Sequence, residues 1–149
     1  MNESWTIKTI VLGYDGSEGA ARALQLTAAL AGMTNAKVVV VNAFETTLVV
    51  NSFETRSTEL QEARLGRIVA KAEATADEGV RELEKAGIVA EADVLEGSAG
   101  ECLLGVADSR KADLIVVGRR GHGLLADLLL GSTSEYVVRR AKVPVLVAH

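Results

Sequence analysis

The sequence predicts an open, doubly wound α/β domain, five short parallel strands with helices on both faces. Three observations lead there. Four apolar runs, TIKTIVLGY (6 to 14), KVVVVNAF (37 to 44), ADLIVVG (112 to 118) and VPVLVAH (143 to 149), are short, β-branched and continuous, the pattern of strands buried on both faces. The segments between them carry apolar residues at helical spacing, and alternating strands and helices imply parallel pairing through right-handed crossovers. Hydrophobic residues make up 48% of the 149-residue chain and aromatics only 3%, so the core is aliphatic and 1–149 reads as one domain.

Each element follows in order. After the first run, Ser17 stands where a helix N-cap belongs, and Ala20, Leu24, Ala28 and Ala31 mark the apolar face of a helix over 18–32. The second run, 37–44, is a strand buried on both faces. From 57 to 86, Leu65, Val69, Ala72, Ala76, Val80 and Leu83 follow helical steps on a charged background, and Gly87 is a natural stop. Such a helix, roughly 45 Å long at 1.5 Å per residue, outruns any strand, so its first turns or the loop 45–56 should project beyond the sheet. IVAEADVLEG (88 to 97) alternates in part, as a strand near the sheet edge does. Residues 99–110 and 132–141 supply the last two helices around the strand 112–118, and 143–149 closes the sheet. Pro144 suits a strand start, and VLVA then leaves an apolar edge that needs a partner or a cover.

Net charge is −4 but uneven. Residues 45–96 hold 12 acids and 6 bases, whereas 97–149 hold 5 acids and 7 bases. The basic surplus favours a small anion in the C-terminal third over nucleic acid, which needs a broad basic face with stacking aromatics. The single cysteine, Cys102, has no intramolecular disulfide partner, falls on the apolar side of a helix and reads as core. Without a signal-like start or an apolar run near 18 residues, the expectation is a soluble cytoplasmic chain with no membrane partner.

In an open parallel sheet, ligands bind beyond the carboxyl ends of the strands where the strand order reverses, which brings the loops after the first and fourth strands together. The first loop reads GYDGSEG. Asp15 there can accept hydrogen bonds from ribose hydroxyls or an adenine amino group; equally, Asp-Gly ahead of a cap is an ordinary turn. Neither G-x-G-x-x-G nor a P-loop occurs. The second loop reads GRRGHGLLADLLLGSTSEY (118 to 136). Gly118 and Gly121 allow backbone N–H groups close to phosphate oxygens, while Gly131 opens a helix whose N-terminus suits an anion. Ser132, Thr133 and Ser134 add hydroxyls, and Arg119 and Arg120 add charge. Ser132 with Glu135 also spells an S-x-x-E capping box, which needs no ligand but leaves the other glycines and the arginines unexplained. His122 has no companion at metal-ligand spacing and reads as a loop histidine near phosphate or solvent. The run EGVRELEKAG reads as a solvated helix face.

The pattern G-x2-G-x9-G-S/T, with ADLIVVG before it and a helix and PVLVA strand after it, resembles the ATP-binding branch of the universal stress protein family. The likeness extends over IVLGYDGSEGA, the long second helix and EGSAGECLLGVADSRKADLIVVGRRGHG. It implies a Rossmann-like sheet in the order 3-2-1-4-5. It also implies Gly13, Tyr14 and Asp15 at the adenosine end, and a backbone contact to adenine from Ala43. Gly118, Arg119, Gly121 and His122 would lie on one side of the phosphates, Gly131, Ser132, Thr133 and Ser134 on the other. Gly13, Arg119, Arg120 and Ala99 stand where the family often has Pro or Val, Ser or His, and Pro. The implied protein is a regulatory module that holds ATP with Mg²⁺ on its phosphates, with no metal ligand of its own, and dimerises through 143–149. No nucleophile or general base is positioned, so at most slow ATP hydrolysis is expected. The other readings are a hydrolase or adenylyl-transfer enzyme in the same crevice, and a nucleotide-free interaction protein.

Overall fold

The computed structural model describes residues 4–46, 58–119 and 130–149. The chain alternates strand and helix throughout these residues: β1 Thr9–Gly13, α1 Glu18–Thr34, β2 Lys37–Phe44, α2 Thr58–Lys85, β3 Ala90–Glu96, α3 Ala99–Ser109, β4 Leu114–Gly118, α4 Ser132–Arg140 and β5 Val145–Ala148. All five strands pair in parallel, in the order β3-β2-β1-β4-β5. The expected architecture and order are both present.

Side chains alternate across the pleat, so each central strand feeds two cores. Ile10, Leu12, Val38, Val40 and Val116 pack with Ala20, Ala23 and Leu24 of α1 and Ala76 and Leu83 of α2. Val11, Val39, Val41, Ile115 and Val117 pack on the other side with Leu103 and Val106 of α3 and Val137 of α4. The core strands are therefore valine-rich without alternation, and among the described residues the only core side chain larger than leucine or isoleucine is Tyr14.

The helix signals act as their chemistry requires. Ser17 Oγ accepts the Ala20 amide at 3.1 Å as the cap of α1. Gly87, at φ 79°, turns the chain out of α2, where the Gly87 and Ile88 amides return to the carbonyls of Glu84 and Leu83. The projection expected of α2 is real. It runs 28 residues, about 42 Å, and its first buried residue is Ala72, so the N-terminal half stands clear of the sheet.

Three strands are shorter than their apolar runs. Lys8 and Thr9 give their amides to Asp113 Oδ2 at 2.8 and 3.0 Å, which sets the start of β1 at Thr9. Ahead of β4, Lys111 takes φ 50° and the Ala112 amide returns to Ala107 O, so 112 and 113 belong to the exit from α3. Pro144 lacks an N–H and offers only its carbonyl, to Ile115, so β5 starts one residue later. The edge reading of β3 holds, because it pairs with β2 alone.

Candidate functional site

The strand order reverses between β1 and β4, and the loops leaving both strands rise from the same end of the sheet. Above β1, Asp15 is exposed and its Oδ1 accepts the Ser17 amide at 2.9 Å, with Gly16 at φ 77° between them. Asp15 thus makes the turn, which was its alternative reading, while its carboxylate still faces solvent at the reversal point.

Above β4, the Gly131 amide donates to Arg119 O at 2.7 Å and the Arg119 amide donates to Ala148 O at 2.8 Å. The start of α4 is thereby tied to the end of β4. Both amides are consumed by the protein, which removes them from the expected phosphate cradle. Three remain by helix geometry: the N–H groups of Ser132, Thr133 and Ser134, at the positive end of the α4 dipole, have no acceptor within the helix.

The capping box does not form. Gly131, at φ −72° and ψ 165°, is the N-cap, and no side chain caps the helix. Ser132 is already the first helical residue, so its hydroxyl is past the position from which it could reach the third amide, and Glu135 instead pairs with Arg139 at 2.8 Å. Ser134 also differs from expectation. It is buried, and its hydroxyl donates to the carbonyls of Arg119 and Gly131, each at 3.0 Å, bracing the loop's return instead of reaching outward.

Gly118 is glycine for a packing reason. A Cβ there would lie 2.6 Å from both the carbonyl carbon and the oxygen of Gly19, so the first turn of α1 rests directly on the end of β4. Gly13 is similarly close to Leu103, whose Cδ1 would be 3.1 Å from an added Cβ. Tyr14 turns its ring into the core toward α2, where its hydroxyl donates to Glu78 Oε1 at 3.2 Å. Burial, then the charge of Glu78, pushes its phenol above the ordinary value of 10.0, so it stays protonated. Its side chain anchors the turn and does not line the crevice. Glu78, read from sequence as surface, is the anchor point on α2.

Ala43 sits at the end of β2 with its polar edge turned toward β1. Val41 O accepts the Tyr14 amide at 3.0 Å, and Phe44 O accepts the Gly97 amide at 2.9 Å. By the two-residue alternation, Ala43 N–H and C=O point the same way as Val41, one rung past the last β1–β2 bond. Asn42 is the residue that sequence reasoning missed: its Nδ2 donates to Tyr14 O at 2.9 Å. An Asn directly after the valine run was the available signal, since a partly buried amide at a strand end needs a partner.

Arg120, Gly121 and His122, with the leucine block after them, lie outside the described residues, as does most of the loop 45–56. Among the described residues no group of three His, Cys, Asp or Glu could hold a metal ion, and no helix is long and apolar enough to cross a membrane. Cys102 is buried, and desolvation, then Glu101, pushes its thiol above the ordinary value, which makes it a poor nucleophile. A groove floored by Ala107, Ala112 and Ile115, with Arg140 and Lys142 at its rim, opens at the amino ends of β4 and β5, remote from Asp15.

A family model described as the universal stress protein family matches residues 6–149. A universal stress protein from Thermus aquaticus, encoded in the QAH/OAS sulfhydrylase 3′ region, is 41% identical over 147 residues, covering 95% of this chain and 98% of its own. Among solved structures, the protein MJ0577 superposes with a TM-score of 0.84 at 24% identity, over 96% of both chains. A universal stress protein in complex with cAMP superposes with a TM-score of 0.70 at 29% identity, over 97% of this chain and 98% of the other.

Proposed function

The chain belongs to the universal stress protein family, and from that premise we propose that it is a regulatory module that holds an adenine nucleotide at the carboxyl end of the sheet, ATP with Mg²⁺ being the form that fits best. The observation that carries the reading is the Gly131 N–H···O=C Arg119 bond. It sets the free N-terminal amides of α4 directly over the end of β4, beside the point where the strand order reverses. Those amides, with the hydroxyls of Ser132 and Thr133, suit a phosphate chain. Asp15 suits a ribose hydroxyl, and the polar edge of Ala43 suits the donor-acceptor edge of adenine. The relative solved with cAMP supports an adenine ligand for this architecture.

The family likeness would put Arg119, Gly121 and His122 on one side of the phosphates. With no metal cluster among the described residues, Mg²⁺ would be held by phosphate oxygens and water. The donor set is one of binding: Asp15 already serves the Ser17 amide and no other general base stands over the crevice among the described residues, so turnover is slow at most. The nucleotide then acts through partner or assembly state, and the assembly is a homodimer through 143–149.

Calorimetric titration with ATP, ADP and AMP, on wild type and Gly131→Val, tests the site. The φ of −72° at Gly131 admits valine, so the fold survives while the new side chain fills phosphate space. Binding by wild type and its loss in the variant is the expected result; equal ATP affinity in a folded variant removes the assignment.

A further inference from the structure

The β1–β2 ladder stops one rung short. Val41 O takes the Tyr14 amide, and in a continuing parallel ladder the next bond would run from Ala43 N–H to Tyr14 O. That carbonyl is instead held by Asn42 Nδ2 at 2.9 Å. Tyr14 is fixed at its other two polar points as well, its amide on Val41 and its hydroxyl on Glu78. Among the described residues, Ala43 N–H has no acceptor.

We infer that Asn42 is a positioning residue: by drawing the Tyr14 carbonyl to its side chain, it keeps the ladder from closing and leaves the Ala43 backbone edge open for the ligand. This rests on the reading of Ala43 as the adenine contact. The chemistry is a competition between two donors for one carbonyl. A primary amide reaching from the β2 side chain leaves the next main-chain N–H pointing into the crevice. An apolar side chain there leaves Tyr14 O unpaired at the end of a buried strand, where the Ala43 amide is the nearest group able to satisfy it. Asn42 itself touches no ligand and acts through Ala43.

Asn42→Ala and Asn42→Asp test this with two readouts. The first is hydrogen exchange of the Ala43 amide by NMR without nucleotide. The open rung gives fast exchange in wild type and slower exchange in Asn42→Ala, as Ala43 pairs with Tyr14. A merely structural role for Asn42 moves exchange the opposite way, because loosening the strand end speeds it. Asn42→Asp keeps the shape, loses the donor and sets a carboxylate against the carbonyl, so it too releases Tyr14 O. The second readout is AMP titration, in which Asn42→Ala binds roughly 3- to 10-fold more weakly, the span one lost hydrogen bond accounts for. A protected Ala43 amide in wild type, or no slowing in either variant, overturns the inference. If wild type binds no nucleotide, the proposed function falls, and the exchange measurement alone still decides what Asn42 does.

Discussion

At the residue scale, several positions earn their identity from a neighbour distant in sequence. Gly118 is the clearest. In the chain it stands first among three glycines that read as phosphate contacts, yet its missing side chain is what lets Gly19 close on the end of β4. Gly118→Ala should therefore lower stability by about 1–3 kcal/mol, as overpacking does against a backbone that has little room to move. A urea melt measures this, and an unchanged midpoint would mean that α1 can shift at little cost. Ser134 is a parallel case, since its hydroxyl holds the two carbonyls that fix where α4 begins. Nothing in the string GSTSEY distinguishes that serine from the serine and threonine before it. Ser17 was legible because its partner, the Ala20 amide, lies three residues away.

At the element scale, the helices are joined to the sheet by a few polar contacts at strand ends. Tyr14 connects the end of β1 to α2 through Glu78. Its raised phenol pKa sets a pH dependence with a definite sign. The folded chain holds that proton more tightly than the unfolded one, so the contribution is complete below pH 10 and is lost as pH rises through the folded value. Tyr14→Phe has no proton to lose. Relative to wild type it should be weaker near neutrality by about 1 kcal/mol, for one lost hydrogen bond. Its stability should also fall less as pH rises above about 10. Parallel alkaline declines in denaturant midpoints would show that the phenol does not titrate differently on folding. At the other end of the sheet Arg110 leaves α3 to pair with Glu91 and with Asp93, the latter at 2.9 Å. The element pattern was visible in the runs and their periods, but these ties were not, because each joins residues 17 to 64 positions apart.

At the scale of the whole molecule, the two sheet edges differ in kind. The β3 edge carries Glu91 and Asp93 with the Arg110 guanidinium over them, a charged edge that resists pairing with another strand. The β5 edge is VLVA. Ile115 N–H goes to Pro144 O and Arg119 N–H to Ala148 O, so the even positions of β5 face β4, and Val145 and Val147 turn their N–H and C=O outward. If the proposed dimer forms there, Val147→Pro should split it. Proline removes an outward donor without touching the β4 ladder, so a folded monomer is expected by light scattering. A dimer that persists unchanged in the variant would move the interface elsewhere.

What the sequence determined by itself is what short-range physics determines: which runs are strands, which periods are helices, the cap at Ser17 and the stop at Gly87, and from their alternation a parallel sheet with a strand reversal. Tertiary structure alone decided which groups at that end are already in use. The amides of Gly131 and Arg119, the hydroxyl of Ser134 and the side chain of Tyr14 are all taken by the protein, and the carbonyl of Tyr14 by Asn42. A hydrogen-bond donor is available to a ligand only if no other part of the chain satisfies it, and that depends on neighbours brought together by folding across many residues.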